Sequence, residues 1–253
     1  MSGQDQPFFV GYLPVPGPLA RFLGVVSAGA VLLALVLGFS VAATQDDPGD
    51  GRFRFDLGRQ TVTGVLVEGA YPVLRVTEGT EAIPAGRTLM LSGGGKNGIQ
   101  ARAAPLLGRR VTVAGVLLTR GSLQMLQVRG AADGMVAADG AAPALEAAEP
   151  LGRWRLTGEL CDGKCTAGAM RPGLGLSHKA CANLCVIGGV PMVFVSAAPV
   201  AGTAYLMVTG PDGGAVPQAL LDATADLVEI EGALERIGDL VVLRADPATL
   251  RRP

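Results

Sequence analysis

The hydrophobic pattern changes its period along the chain. Residues 22–43, FLGVVSAGAVLLALVLGFSVAA, are 22 positions without a charge, and as a helix they extend roughly 33 Å, enough for the hydrocarbon core of a bilayer. A polar stretch, TQDDPGDGR at 44–52, follows. Beyond it the apolar residues alternate or run in short blocks between glycine turns: RQTVTGVLVEG, YPVLRVT, RTLMLSG, RRVTVAGVLLTRG and SLQMLQVRG. This is strand patterning. A helical patch over 99–107 interrupts the third and fourth strands, and a second one over 216–225 sits in the same place in a later strand series. Five strands with a helix between the third and fourth is the order of an OB-fold barrel.

The later series repeats the earlier one. Thr63-Gly64-Val65-Leu66 matches Thr157-Gly158-Glu159-Leu160 at an offset of 94, and Leu89-Met90-Leu91-Ser92-Gly93 matches Leu206-Met207-Val208-Thr209-Gly210 at 117. The second offset also aligns Val113-Ala114-Gly115 with Ile230-Glu231-Gly232, and Gly121 with Gly238. Agreement at a constant offset marks an internal duplication. The offsets differ by 23, so the second copy has gained about that much chain, and the gain contains all four cysteines and the single histidine. The fold expected is mainly β: an N-terminal transmembrane helix followed by two tandem OB-like small barrels, the second with a Cys/His-rich insertion.

The expected divisions are an apolar, proline-rich tail (1–21), the transmembrane helix (22–43), a linker (44–52), barrel 1 (53–130), an Ala/Gly/Pro-rich linker (131–150) and barrel 2 (151–253) with its loop at 161–191. The apolar run is longer than the 7–15 residues usual in a cleaved signal peptide, which favours an uncleaved anchor. Arg21 precedes the span and Asp46, Asp47 and Asp50 follow it, so the positive-inside rule places the N-terminus in the cytoplasm and the bulk of the chain in the periplasm of a bacterial inner membrane. Phe8, Phe9 and Tyr12 ahead of the span suit either an interfacial aromatic belt or a contact with a membrane subunit.

Charge and composition remove one function class. The formal net charge is -1 and aromatic residues make up 4% of the chain, which excludes both a basic stripe and a base-stacking platform for nucleic acid. Only three basic residues are lysines: Lys96, Lys164 and Lys179. The run Ser92-Gly93-Gly94-Gly95-Lys96-Asn97 lacks the leading glycine and the Ser/Thr of a phosphate loop, and its match to 210–214 makes it a turn of the repeat. No Gly-x-Ser-x-Gly elbow is present, and hydrolytic catalysis is not expected.

The chemistry is concentrated in CDGKCTAGAMRPGLGLSHKACANLCVIGGVP, with the spacing Cys161-x3-Cys165-x12-His178-x2-Cys181-x3-Cys185. Ser177 is placed to cap a helix that Gly188-Gly189 would stop, and His178, Cys181 and Cys185 would then share one stripe of it. Three readings stay open. Two disulfides among Cys161, Cys165, Cys181 and Cys185 would staple the loop to its barrel, crossed pairs being preferred. A metal site would use Cys165, His178, Cys181 and Cys185 for zinc, or Cys165, Met170 and His178 for copper. A thiol pair activated by His178 would do redox work. Attached c-type haem needs CxxCH, and a Rieske cluster needs two histidines; neither is present.

In architecture, the short tail, single anchor and external OB-like barrel resemble the cytochrome c maturation haem chaperone, whose haem-holding histidine, in its His-Asp-Glu-Tyr context, has no counterpart here. The residues Lys164-Cys165, Met170, Pro172-Gly173, Gly175, His178, Cys181, Cys185, Gly188-Gly189 and Pro191 are similar to a pattern in bacterial membrane-anchored periplasmic proteins. That resemblance carries no activity and no site roles. The function expected is a non-catalytic accessory subunit that docks on integral membrane or periplasmic proteins of a respiratory or electron-transfer complex. The alternative is a module that handles metal, haem or thiol redox through the loop.

Overall fold

The computed structural model describes residues 15–44 and 51–252. The aromatic tail residues and the acidic cluster that set the expected orientation lie outside the described residues. Helix α1 (Gly17–Thr44) begins five residues ahead of the uncharged run, with Pro18 in its first turn, where a missing N–H costs nothing. It is long and apolar enough to cross a membrane. The remaining chain, from Pro48 on, is a separate compact unit.

That unit holds the following elements in chain order: β1 (Arg52–Phe53), β2 (Gln60–Val67), β3 (Val73–Glu78), β4 (Thr88–Ser92), α2 (Gln100–Ala103), β5 (Arg110–Arg120), β6 (Leu123–Val128), β7 (Met135–Ala137), β8 (Glu149–Asp162), α3 (Lys179–Ile187), β9 (Met192–Val200), β10 (Thr203–Thr209), α4 (Gln218–Asp222), β11 (Leu227–Ile237) and β12 (Leu240–Ala245). Strands β5-β2-β3-β4-β6 close one barrel and β8-β9-β10-β12-β11 the other, each with its third and fifth strands parallel and every other pair antiparallel. Both are OB-like five-stranded barrels.

The duplication survives at the level of register. Met90 lies opposite Met125, and Met207 opposite Val242; Gly115 pairs with Val128, and Gly232 with Ala245. All four pairs obey the offset of 117. On the second strands, Arg75 faces Val65 and Val195 faces Glu159, an offset of 120. The first loop of barrel 2 is therefore 26 residues longer than its counterpart, and the next loop three shorter. The 23-residue gain read from sequence is the net of these two changes.

The expected linker at 131–150 carries regular structure at its two ends, with 138–148 as the loop between. Its first part forms a 3-10 turn (Ala132–Gly134) and β7, which pairs with β5, and its last two residues open β8. Nor do the barrels stand apart. Leu66, Leu74, Leu89 and Leu126 fill the inside of barrel 1, while Tyr71, Val73, Met90, Leu118 and Met125 on its outside join the core of barrel 2. Strand β4 is buried at all five positions because both its faces are covered, so its centre, Leu89-Met90-Leu91, is apolar without alternation. Thr88 N–H donates to Asp239 Oδ1 (2.7 Å), and its hydroxyl donates to the Ile237 carbonyl (2.8 Å) across the same junction.

Candidate functional site

The 26-residue insertion leaves barrel 2 at the end of β8 and folds against barrel 1. It begins with a π-type turn (Cys165–Ala169) that Gly168 makes possible: its φ is +129°, and a Cβ there would lie 1.9 Å from the Arg52 backbone nitrogen. A 3-10 turn (Leu176–His178) then runs straight into α3. The far end is tied to barrel 1 by Gly98 N–H donating to the Gly188 carbonyl (2.8 Å) and by Gln100 Nε2 donating to that of Gly189 (2.7 Å).

Three thiols meet in this enclosure. Cys181 and Cys185, one turn apart on α3, face Cys165 on the π-type turn, and the three sulfurs lie within 4.8 Å of one another. Cys165 Sγ is 4.0 Å from Cys181 Sγ. Cys165 and Cys185 are buried and Cys181 partly so. Two lysines supply positive charge. Lys96 Nζ, on the turn between β4 and α2, donates to Cys181 Sγ at 2.7 Å and lies 3.9 Å from Cys185 Sγ. Lys164, 3% exposed, donates to the carbonyls of Gly93 and Gly95 on the same turn, both at 2.7 Å. Its ammonium is pushed below the ordinary lysine value by burial. A hydrogen bond from Cys165 lowers the Cys185 thiol, whereas Cys165 itself is raised by that bond and by burial.

The histidine belongs to a second cluster. His178 Nε2 is 2.9 Å from Asp162 Oδ2, both side chains being fully buried, and His178 Nδ1 is 3.0 Å from Met170 Sδ. Asp162 Oδ1 accepts the Cys165 backbone N–H (2.8 Å), so one carboxylate touches both clusters. Cys161, on β8, donates to the Gly173 carbonyl (3.1 Å) and is raised well above the ordinary thiol value by burial.

Two expectations are corrected here. The four cysteines are free: Cys165 and Cys181 are twice the disulfide bond length of about 2.05 Å apart, and Cys161 lies with Asp162 and His178 instead of the other three, so neither crossed pair is formed. The set Cys165, His178, Cys181 and Cys185 is likewise divided, with the three cysteines together and His178 turned to Asp162. The 3-10 turn is the reason, since it breaks the helical phase between His178 and Cys181; Ser177 makes no capping bond. Asp162 and Lys96 were not singled out from sequence. Compared with protein families, curated proteins and solved structures, the chain matches none.

The start of α3 is held by Asp226, which pairs with Lys179 and with Arg252 (2.9 Å). Burial alone would raise the Asp226 carboxyl, but hydrogen bonds from Lys179 and Arg252 outweigh it and hold the group below its ordinary value. A depressed folded-state value contributes stability that is present above the unfolded value and lost as pH falls through the folded one. Asp226→Asn is expected to lower stability by about 0.5–1 kcal/mol at pH 7, a figure discounted for solvent screening. Denaturant unfolding of the two proteins should converge in acid, below the range in which Asp226 titrates; a gap of the same size at every pH would show that the ion pairs contribute nothing.

Proposed function

We propose that this chain is a membrane-anchored, extracytoplasmic holder for a soft d10 metal ion, Cu(I) or Zn(II), bound by Cys165, Cys181 and Cys185. One observation carries the reading: three thiols brought from two separate segments into one enclosure at metal-site spacing. A metal–sulfur bond of about 2.3 Å puts sulfurs about 3.8 Å apart in tetrahedral geometry and about 4.0 Å in trigonal geometry. The Cys165–Cys181 separation of 4.0 Å fits both. Thiolate sulfur selects Cu(I), Zn(II) or iron–sulfur clusters among biological metals. Lys96 and Lys164 offset the charge the thiolates bring. The two barrels act as the clamp, barrel 2 supplying the ligands and barrel 1 the turn that carries Lys96.

The anchor is read as α1, with the barrels on the periplasmic side. The partner is a membrane or periplasmic protein that gives or takes the metal, and the exposed apolar residues Leu176, Leu184 and Ile187 of the insertion offer it a contact face. On this reading the chain is not itself an enzyme.

The test is metal content. Full-length protein purified in detergent under anaerobic conditions, loaded with Cu(I) or Zn(II) and desalted, should retain about one equivalent in the cysteine site by elemental analysis, and Cys185→Ser should lose it at least tenfold. Wild-type protein that retains neither ion against a weak chelator, with its thiols reduced, would end the proposal. Two fewer reactive thiols in protein from the native compartment would favour a disulfide there instead.

A further inference from the structure

The metal reading accounts for three cysteines and leaves the neighbouring cluster without a role. Asp162 is fully buried and its two oxygens face the Cys165 N–H and His178 Nε2. A carboxylate only accepts, so the Nε2 position carries the proton. This is how ligating histidines are ordinarily held: a carboxylate fixes one ring nitrogen and directs the other at the metal.

The other ring nitrogen, Nδ1, points at Met170 Sδ from 3.0 Å. A thioether has no proton to give. In the neutral imidazole the contact therefore opposes two lone pairs, one on nitrogen and one on sulfur. Met170 is 42% exposed, whereas His178 is buried, so the pair forms a path from surface to interior. It lies at the edge of a cleft of about 200 Å³ that Arg120 and Arg171 also line.

We infer that Met170 Sδ and His178 Nδ1 form a second site, a capture site for Cu(I), next to the three-thiol site. The inference rests on the proposed metal function and selects between its two ions, because thioether sulfur suits Cu(I) and is not a ligand set for Zn(II). Copper enters at Met170, is held by His178, and passes by ligand exchange to Cys165, whose amide is bonded to the same carboxylate that orients His178. No electron moves. The Cu–N and Cu–thioether bonds break as Cu–thiolate bonds form, and the displaced thiol proton goes to solvent.

The experiment is an anaerobic Cu(I) titration of the full-length protein in detergent against a chromophoric Cu(I) chelator, with four proteins compared. Wild type is expected to bind two equivalents, the triple variant Cys165→Ser/Cys181→Ser/Cys185→Ser one, Met170→Leu one, and the combined variant none. Met170→Leu replaces an exposed side chain of similar volume, so its fold serves as the control. An independent reading comes from the methionine ε-methyl resonances of wild type, of which the one lost in Met170→Leu should shift on adding copper. A triple variant that binds nothing while wild type binds one ion removes the capture site and leaves the cysteine site intact. Retention of one ion by the triple variant regardless of Met170→Leu also overturns it. The converse, wild type binding a single ion that Met170→Leu abolishes, would sink the cysteine reading and keep this one.

Discussion

Replacing Asp162 with alanine is expected to destabilise the two-barrel unit by about 2–6 kcal/mol, because it leaves two buried donors unsatisfied at about 1–3 kcal/mol each. The carboxylate is fully buried and serves the Cys165 N–H and His178 Nε2, and its own carbonyl accepts the Thr166 hydroxyl (2.7 Å). Alanine would leave the amide and the imidazole facing a dry void. Both clusters hang on that residue, so metal binding should fall with stability. Asp162→Asn separates the two effects. Its carbonyl oxygen can still accept from Cys165, while its amide now donates to Nε2 and forces the proton to Nδ1. The fold should survive with a loss of about 1–2 kcal/mol. Nδ1 would then donate to Met170 Sδ and could not bind copper. Denaturant unfolding of the full chain with the nitrogen shifts of its single imidazole reads both quantities. Equal stability of Asp162→Ala and wild type would show that the carboxylate is not the junction described.

How much of this was legible depended on whether the signal was local. The barrels were, because strand alternation and glycine turns recur with the same spacing in both copies; Met90 with Met125 and Met207 with Val242 are the same pairing 117 residues apart. The division of the Cys/His set was not, because it turns on three residues of 3-10 helix that rotate His178 off the stripe of Cys181 and Cys185. The even cysteine count suggested two disulfides, but a count cannot show that Cys161 pairs into β8 opposite Val193 while the other three meet elsewhere. Lys96 was hidden by a sound comparison. The turns at 93–97 and 210–214 close with the same hydrogen bond, Gly93 N–H to Asn97 and Gly210 N–H to Gly214, so one looks as ordinary as the other. Only the long-range contact to Cys181 distinguishes Lys96 from its counterpart Gly213. The available signal was scarcity: the chain has three lysines, and Lys96, Lys164 and Lys179 all lie in or against the insertion.

Lys164→Met is expected to have the second large effect. Methionine is close to the lysine stem in length, so packing is kept and the change isolates the ammonium. Wild-type Nζ donates to the carbonyls of Gly93 and Gly95, and without it the Gly93 carbonyl is orphaned in a buried position. At about 1–3 kcal/mol per unsatisfied buried group, with Gly95 partly relieved by solvent, the loss should be roughly 2–4 kcal/mol. The same turn carries Lys96, so loosening it also withdraws the contact with Cys181. Cys185 owes part of its lowered value to the Lys96 charge, and losing that charge raises the thiol and leaves less thiolate at neutral pH. Alkylation of Cys185 should slow, with its pH profile displaced upward. Lys96→Met is the partner experiment: its side chain is exposed, so stability should stay within about 0.5 kcal/mol while thiol reactivity drops alone. A Lys164→Met protein as stable as wild type would mean that the turn is held by the backbone bonds at Gly98 and Gly188 and not by the lysine. Barrel 1 would then shape the cysteine site through contact alone, and its charge would be incidental.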